Sequence, residues 1–165
     1  MTEFHHDASR SDHFECRTDI DAYEKAKLEA YVDTIPGVDT IQDPVTGAIM
    51  YYLVEEKNDS TSIAKDSVVT VGYKGYFTDG TIFDESNEDN PFIFTVGAAE
   101  GAIEGWNLGI PRFKEGEKGR LFIPYQLAYG ESGSKVSGAP NYFSMLPYET
   151  LIFDIEVLEV NQSGD

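Results

Sequence analysis

From residue 48 to residue 160 the chain is a succession of short β-rich runs separated by Gly, Pro and Asp-Gly turns, with room for only one short helix. This punctuation constrains the fold more than any other feature. Short alternating runs closed by turn residues pair as antiparallel neighbours, because a parallel pair needs a long crossover between its strands. Ile49-Met50-Tyr51-Tyr52-Leu53-Val54 contains neither Pro nor Gly. Residues 67–77 form the clearest strand, with Val69, Val71 and Tyr73 on one face and Thr70, Gly72 and Lys74 on the other. Asp79-Gly80 is a turn pair, after which Thr81-Ile82-Phe83 resumes the extended chain. Residues 92–96 and 119–124 are further strands. The last, 150–160, alternates Leu151, Phe153, Ile155 and Val157 against Asp154, Glu156 and Glu159. Residues 101–110 read as a short helix stopped at Pro111. Residues 57–66 are a polar loop, and 130–149, with Gly133, Gly138, Pro140 and Pro147, read as a long one. The expected class is α+β, an antiparallel sheet with one helix over a face.

Upstream, residues 1–16 read as a disordered lead. Helical periodicity runs from Asp19 to about Thr34, with Ile20, Tyr23, Leu28, Tyr31, Val32 and Ile35 mostly on one face, Thr18 or Asp19 as cap, and Pro36-Gly37 as the stop. Asp43-Pro44-Val45-Thr46-Gly47 then separates two extended runs as a hairpin turn. The expected organisation is a lead at 1–16, a helix and connecting hairpin at 17–47, one globular domain at 48–160 and a tail at 161–165. A length of 165 residues accommodates one domain with an extension, and not two ordinary domains.

Thirty acidic residues against twelve basic ones give a formal net charge of −18. A field of that sign repels phosphate backbones and anionic lipid, which argues against nucleic-acid and membrane-surface partners and favours basic or uncharged polypeptides. No apolar run has the length of a membrane span, and the first residues lack a signal peptide's apolar stretch. The sequence as written therefore predicts a cytoplasmic location, or a cell-envelope or periplasmic one for a mature or trimmed fragment. Cys16 is the only cysteine, so no intrachain disulfide forms.

The usual catalytic constellations are missing. His5, His6, His13 and Cys16 all lie in the polar lead, in no closed zinc spacing, and a solvated tail explains them. There is no phosphate-binding glycine loop and no dinucleotide fingerprint. The acidic run from Asp84 to Asn90 lacks the glycine and the closing glutamate of a calcium loop. What remains is chemistry without metal, cofactor or covalent intermediate, and a set of aromatic residues at strand ends whose default reading is core packing.

Those aromatics fall inside blocks that carry a family resemblance. Val71-Gly72-Tyr73-Lys74-Gly75 followed by Asp79-Gly80-Thr81-Ile82-Phe83-Asp84-Glu85-Ser86 resembles the V-x-Y-x-G … D-G-x-x-F-D-x-S signature of FKBP-type peptidyl-prolyl isomerases. Pro91-Phe92-Ile93-Phe94 with Gly97, Ile103-Glu104-Gly105-Trp106 with Gly109, Ile123-Pro124-Tyr125-Gln126-Leu127-Ala128-Tyr129-Gly130 and the run Leu151 to Leu158 resemble the later blocks of the same family, in order. The resemblance implies a five- or six-stranded antiparallel sheet wrapped around a short helix. It implies a pocket with Trp106 as floor, with Asp84, Tyr129 and Phe83 as the catalytic set and Tyr73, Phe92, Ala102, Ile103, Met145 and Phe153 also binding substrate. In the family, the backbone N–H at the Ile103 position and the hydroxyl at the Tyr129 position hold substrate carbonyls, and the carboxylate at the Asp84 position lies beside the twisting amide. Partners implied are proline-containing polypeptides and macrolide immunosuppressants. The alternative is a non-catalytic polypeptide-binding module on the same fold. Four departures bear on macrolide affinity and peptide preference: no arginine follows the F-D block, Ala102 replaces a larger wall residue, the loop after Gly130 is longer with Ser134 where a histidine is common, and Phe143, Met145 or Leu146 supply its apolar lip.

Overall fold

The computed structural model describes residues 10–98, 102–136 and 139–162, with side chains described from residue 19 onward except over 136–143. A long helix α1 (Arg10–Val32) is followed by β1 (Asp39–Gln42), β2 (Ile49–Glu56), β3 (Val68–Tyr76), β4 (Ile82–Ser86) and β5 (Phe92–Thr95). Then come α2 (Glu104–Gly109), β6 (Lys118–Ile123), β7 (Ser134–Val136), β8 (Ala139–Met145) and β9 (Leu151–Asn161). Seven strands form one antiparallel sheet in the order β1-β2-β6-β9-β3-β4, with β5 also pairing β3. Strand β3 serves two partners in succession: Val68 to Val71 face β5, and Tyr73 to Tyr76 face β4.

The sheet has two faces with different covers. On the inner face α2 lies against β6 and β9. Gly105 and Gly109, four residues apart on one side of α2, allow this approach: a Cβ at Gly105 would sit 2.5 Å from Ile123 Cγ2, and one at Gly109 would sit 2.6 Å from Leu121 Cδ2. Trp106, Ile110, Phe113, Leu121, Ile123, Phe153 and Ile155 belong to the main core there. On the outer face α1 caps a second apolar cluster, Leu28 and Val32 against Phe122 and Ile152, with Tyr51, Leu53 and Tyr76 around it.

Several expectations are corrected. Helix α1 starts at Arg10, so residues 10–16 are helical backbone and not part of a disordered lead, and it ends at Val32, ahead of Pro36. The expected histidine and cysteine tail lies outside the described side chains. The hairpin at 39–55 pairs into the sheet, with Ile41 buried in the main core. The sheet has seven strands, one more than the upper expectation, because β1 joins it. Pro111 does not end the helical run: a 3-10 turn, Ile110–Arg112, continues from α2 with the proline near its start, where a missing N–H costs nothing. The long loop expected over 130–149 contains a β-ribbon, β7 paired with β8.

Candidate functional site

The sequence of β4 predicts alternation, and a bulge breaks it. Gly75 lies opposite Asp84, but Tyr76 lies opposite Ile82, so Phe83 is the extra residue on the β4 side. A bulge of this kind re-aims side chains. Here it lets the consecutive Phe83 and Asp84 both line the same cavity instead of pointing to opposite faces. Gly75 makes the room: a Cβ there would stand 2.5 Å from the Phe83 ring and 3.0 Å from that of Phe153.

The cavity so formed has a volume of about 210 Å3 and is lined by Tyr73, Phe83, Asp84, Phe92, Ala102, Ile103, Trp106, Tyr129 and Phe153. Of the residues proposed from the sequence, Met145 and Leu146 are not among them. Met145 is buried in the main core, Leu146 is exposed, and the Phe143 side chain lies outside the described residues. Met145 sits opposite Ser134 in the β-ribbon.

The floor is rigid. The Trp106 ring is in edge-on contact with Tyr73 at 5.0 Å, Phe153 at 5.3 Å and Phe92 at 5.5 Å, and Phe94 meets it at 5.5 Å from β5. Edge-to-face pairs set the negative face of one ring against the positive edge of the next, which fixes orientation as well as distance. Among the described residues the Trp106 indole N–H is buried without an acceptor, so ring packing alone holds the indole. The Phe83 wall is backed by Phe153 at 5.6 Å and by Phe77 at 5.0 Å.

Two supports escaped the sequence reading. Phe94, two residues after Phe92 on the same face of β5, was legible from strand periodicity alone. Asn107 was not: its side-chain oxygen accepts the Gly97 N–H at 2.9 Å, tying the end of the β5 segment to α2, a contact between residues ten apart that no local pattern signals.

Asp84 brings a carboxylate to this apolar wall. The Tyr73 hydroxyl donates to Asp84 Oδ2 at 2.5 Å, and the Glu85 N–H donates to Asp84 Oδ1 at 2.9 Å. Burial first, then the hydrogen bond to the carboxylate, pushes the Tyr73 hydroxyl well above the ordinary phenol range. Burial and the charge of Asp84 raise Tyr129 in the same direction. On the outer face Tyr76, which donates to Asp154 at 3.1 Å, is raised by burial and then by that carboxylate. A phenol raised in the folded state adds stability below its unfolded value of about 10, and that stability is lost as pH climbs past it. Alkaline unfolding should therefore set in above about pH 10, and replacing Tyr73 and Tyr76 by Phe should flatten the decline. A spectrophotometric titration showing all tyrosines of the folded protein ionising at the ordinary value would contradict this.

The sequence profile of the FKBP-type peptidyl-prolyl cis-trans isomerases matches residues 59–158, and the chain belongs to that family. The chain is 36% identical over 137 residues to the FKBP-type peptidyl-prolyl cis-trans isomerase FkpA of Escherichia coli strain K12, covering 82% of this chain and 46% of that protein. It is 33% identical over 122 residues to FK506-binding protein 1 of Saccharomyces cerevisiae, covering 73% of this chain and all of that one. A crystal structure of a peptidyl-prolyl cis-trans isomerase from Pseudomonas syringae superposes with a TM-score of 0.68 at 26% identity, over 88% of this chain and 96% of the other. The chain spans about half the length of the FkpA relatives it matches.

Proposed function

We propose that the aromatic cavity rotates X–Pro peptide bonds in flexible or unfolded polypeptides, assisting their folding. The observation that carries this reading is the convergence of six aromatic side chains with one carboxylate on a cavity of about 210 Å3, a size suited to a proline ring. Rotation about the bond must break amide resonance, with a barrier of ~18–20 kcal/mol. The planar amide is the more charge-separated form, and water stabilises it. A dry aromatic wall withdraws that stabilisation, while a few fixed polar groups meet the twisted amide, so the transition state gains relative to the ground state. In this reading the Ile103 N–H donates to a substrate carbonyl from the start of α2, where no side chain caps the helix. The Tyr129 hydroxyl, on a half-exposed rim residue, holds a second carbonyl. The Asp84 carboxylate, fixed by Tyr73, lies beside the rotating bond. The step needs no nucleophile and no proton transfer.

Trp106, the only tryptophan, reports on the floor. A proline peptide, or a macrolide of the kind for which the yeast relative is named, should change its fluorescence saturably and inhibit turnover over the same concentration range. Tyr129→Phe removes one partly hydrated hydrogen bond and should cost about 1 kcal/mol of transition-state stabilisation, a fall in kcat/KM of roughly fivefold. An NMR exchange assay on a short X–Pro peptide measures both. Ligand binding without any turnover would instead identify a non-catalytic binding module.

A further inference from the structure

Three of the nine cavity residues, Ala102, Ile103 and Trp106, come from one short stretch of chain at the start of α2, while Phe92 comes from β5 and meets Trp106 edge-on at 5.5 Å. A cavity assembled from two elements keeps its shape only if they hold a fixed separation. We propose that Asn107 is the positioning residue that sets it, by fixing the turn after β5 to α2. The inference rests on the isomerase reading above and adds a residue behind that site, one that does not line the cavity itself.

The bond from the Gly97 N–H to Asn107 Oδ1, 2.9 Å long, acts on a particular peptide unit. The Ala98 N–H donates to the Thr95 carbonyl at 3.2 Å, and Gly97, third residue of the turn so closed, has φ +82°. A positive φ at that position marks a type II turn, which differs from type I by reversal of the peptide joining the two central residues. That peptide, Val96–Gly97, is held at both ends. The Asp66 N–H donates to the Val96 carbonyl at 3.0 Å, and Asn107 takes the Gly97 N–H on the other side. Neither bond survives a reversal, because the carbonyl and the N–H would exchange directions. Val96 is buried in the main core, and its own N–H donates to the Ser67 carbonyl at 2.9 Å, so one side of the turn is anchored to the sheet. Asn107 anchors the other side to α2.

Asparagine suits this task because its amide carries an acceptor and a donor on one rigid plane. Its Nδ2 lies 3.5 Å from Glu104 Oε2, which turns the amide so that the oxygen is presented to Gly97. The Gly97 bond lies at the surface, where water replaces a lost acceptor and folding loses little. Water does not replace the connection. Without the acceptor the Val96–Gly97 peptide is free to reverse, and Ala102 and Ile103 are free to shift against Phe92 across the Trp106 ring. A positioning role therefore predicts a small loss of stability and a large loss of turnover. A simple staple predicts the opposite balance.

Three variants of the full chain test this. Asn107→Ala and Asn107→Leu delete the acceptor. Asn107→Asp keeps it, and about 1 M salt, with a screening length of ~3 Å, mutes the added charge beside Glu104. Turnover of a short X–Pro peptide is followed by NMR exchange under conditions where urea titration shows each variant fully folded. In the first two variants kcat/KM should fall by at least about tenfold, as a misplaced wall requires. In the third it should stay within about twofold of the unmutated chain. The Gly97 amide proton should move upfield in the first two, as loss of its hydrogen bond requires, and not in the third. Unchanged turnover in the first two, a loss that Asn107→Asp shares, or a loss that vanishes once corrected for the unfolded fraction would overturn the positioning role alone. Absence of turnover in the unmutated chain would overturn the isomerase reading itself, and this role with it.

Discussion

Gly75→Ala should abolish most turnover without removing any group that touches the substrate. The new methyl would stand 2.5 Å from Phe83 Cζ, 2.8 Å from its Cε2 and 3.0 Å from Phe153 Cε1. Phe83 cannot simply retreat, because Phe77 and Phe153 flank its ring. Either the ring swings into the cavity and fills it, or the β4 bulge shifts and takes Asp84 with it. Overpacking of this kind costs about 1–3 kcal/mol of stability. The catalytic loss should be larger than that implies, since both outcomes destroy the shaped, dry wall. A fall in kcat/KM of at least about a hundredfold, near 2.7 kcal/mol, is expected. Phe83→Ala is the companion variant: it opens the same wall by deletion, and should weaken both binding and turnover by at least about tenfold, because both depend on the enclosed apolar surface. NMR exchange on an X–Pro peptide and urea denaturation separate the two effects. Wild-type turnover in both variants, with Trp106 fluorescence indifferent to ligand, would place the active site elsewhere.

Gly119→Ala should give the largest loss of stability among single substitutions in the sheet. Its Cβ would lie 1.9 Å from the Leu53 carbonyl oxygen and 2.7 Å from Phe113 Cε1. The first obstacle is backbone within the β2–β6 pairing, opposite Val54 at the point where the register slips before Glu56. A flexible side chain could move aside; a paired backbone carbonyl cannot without separating the strands. The expected cost exceeds about 4 kcal/mol, a large part of the ~5–15 kcal/mol that holds a domain of this size together. The urea midpoint should fall far enough to leave the variant largely unfolded near physiological temperature. A midpoint close to that of the unmutated protein would mean that β2 and β6 have room to part here, and that Gly119 is incidental.

Most of the candidate site was legible because each of its residues sits in a short local block whose pattern survives without tertiary context. Tyr73, Trp106 and Phe153 each fall inside a motif block that carries the family resemblance, and the resemblance assigned them to the pocket. Met145 is absent from the cavity lining for the opposite reason. Its position depends on the pairing of β7 with β8, and the glycines and prolines of residues 130–149 read locally as loop. The β4 bulge was equally hidden: strict alternation sends Phe83 and Asp84 to opposite faces, and only pairing with β3 shows that Phe83 is the inserted residue.

By itself, the sequence determined the antiparallel architecture, while the family resemblance of its motif blocks pointed to the nine side chains that line one aromatic cavity. The architecture follows from local periodicity and turn chemistry, and the cavity set from the resemblance that the motif blocks carry. The tertiary structure alone decided what lies behind the sheet. Ile152 falls on the polar phase of β9, between Leu151 and Phe153, and reads as solvent-facing by alternation; it is fully buried, together with Phe122, because α1 crosses that face with Leu28 and Val32. Period-two alternation says which side of a sheet a residue occupies, not whether that side meets water or another element. That depends on where a helix more than a hundred residues earlier in the chain comes to rest, a long-range packing choice that no window of local sequence contains.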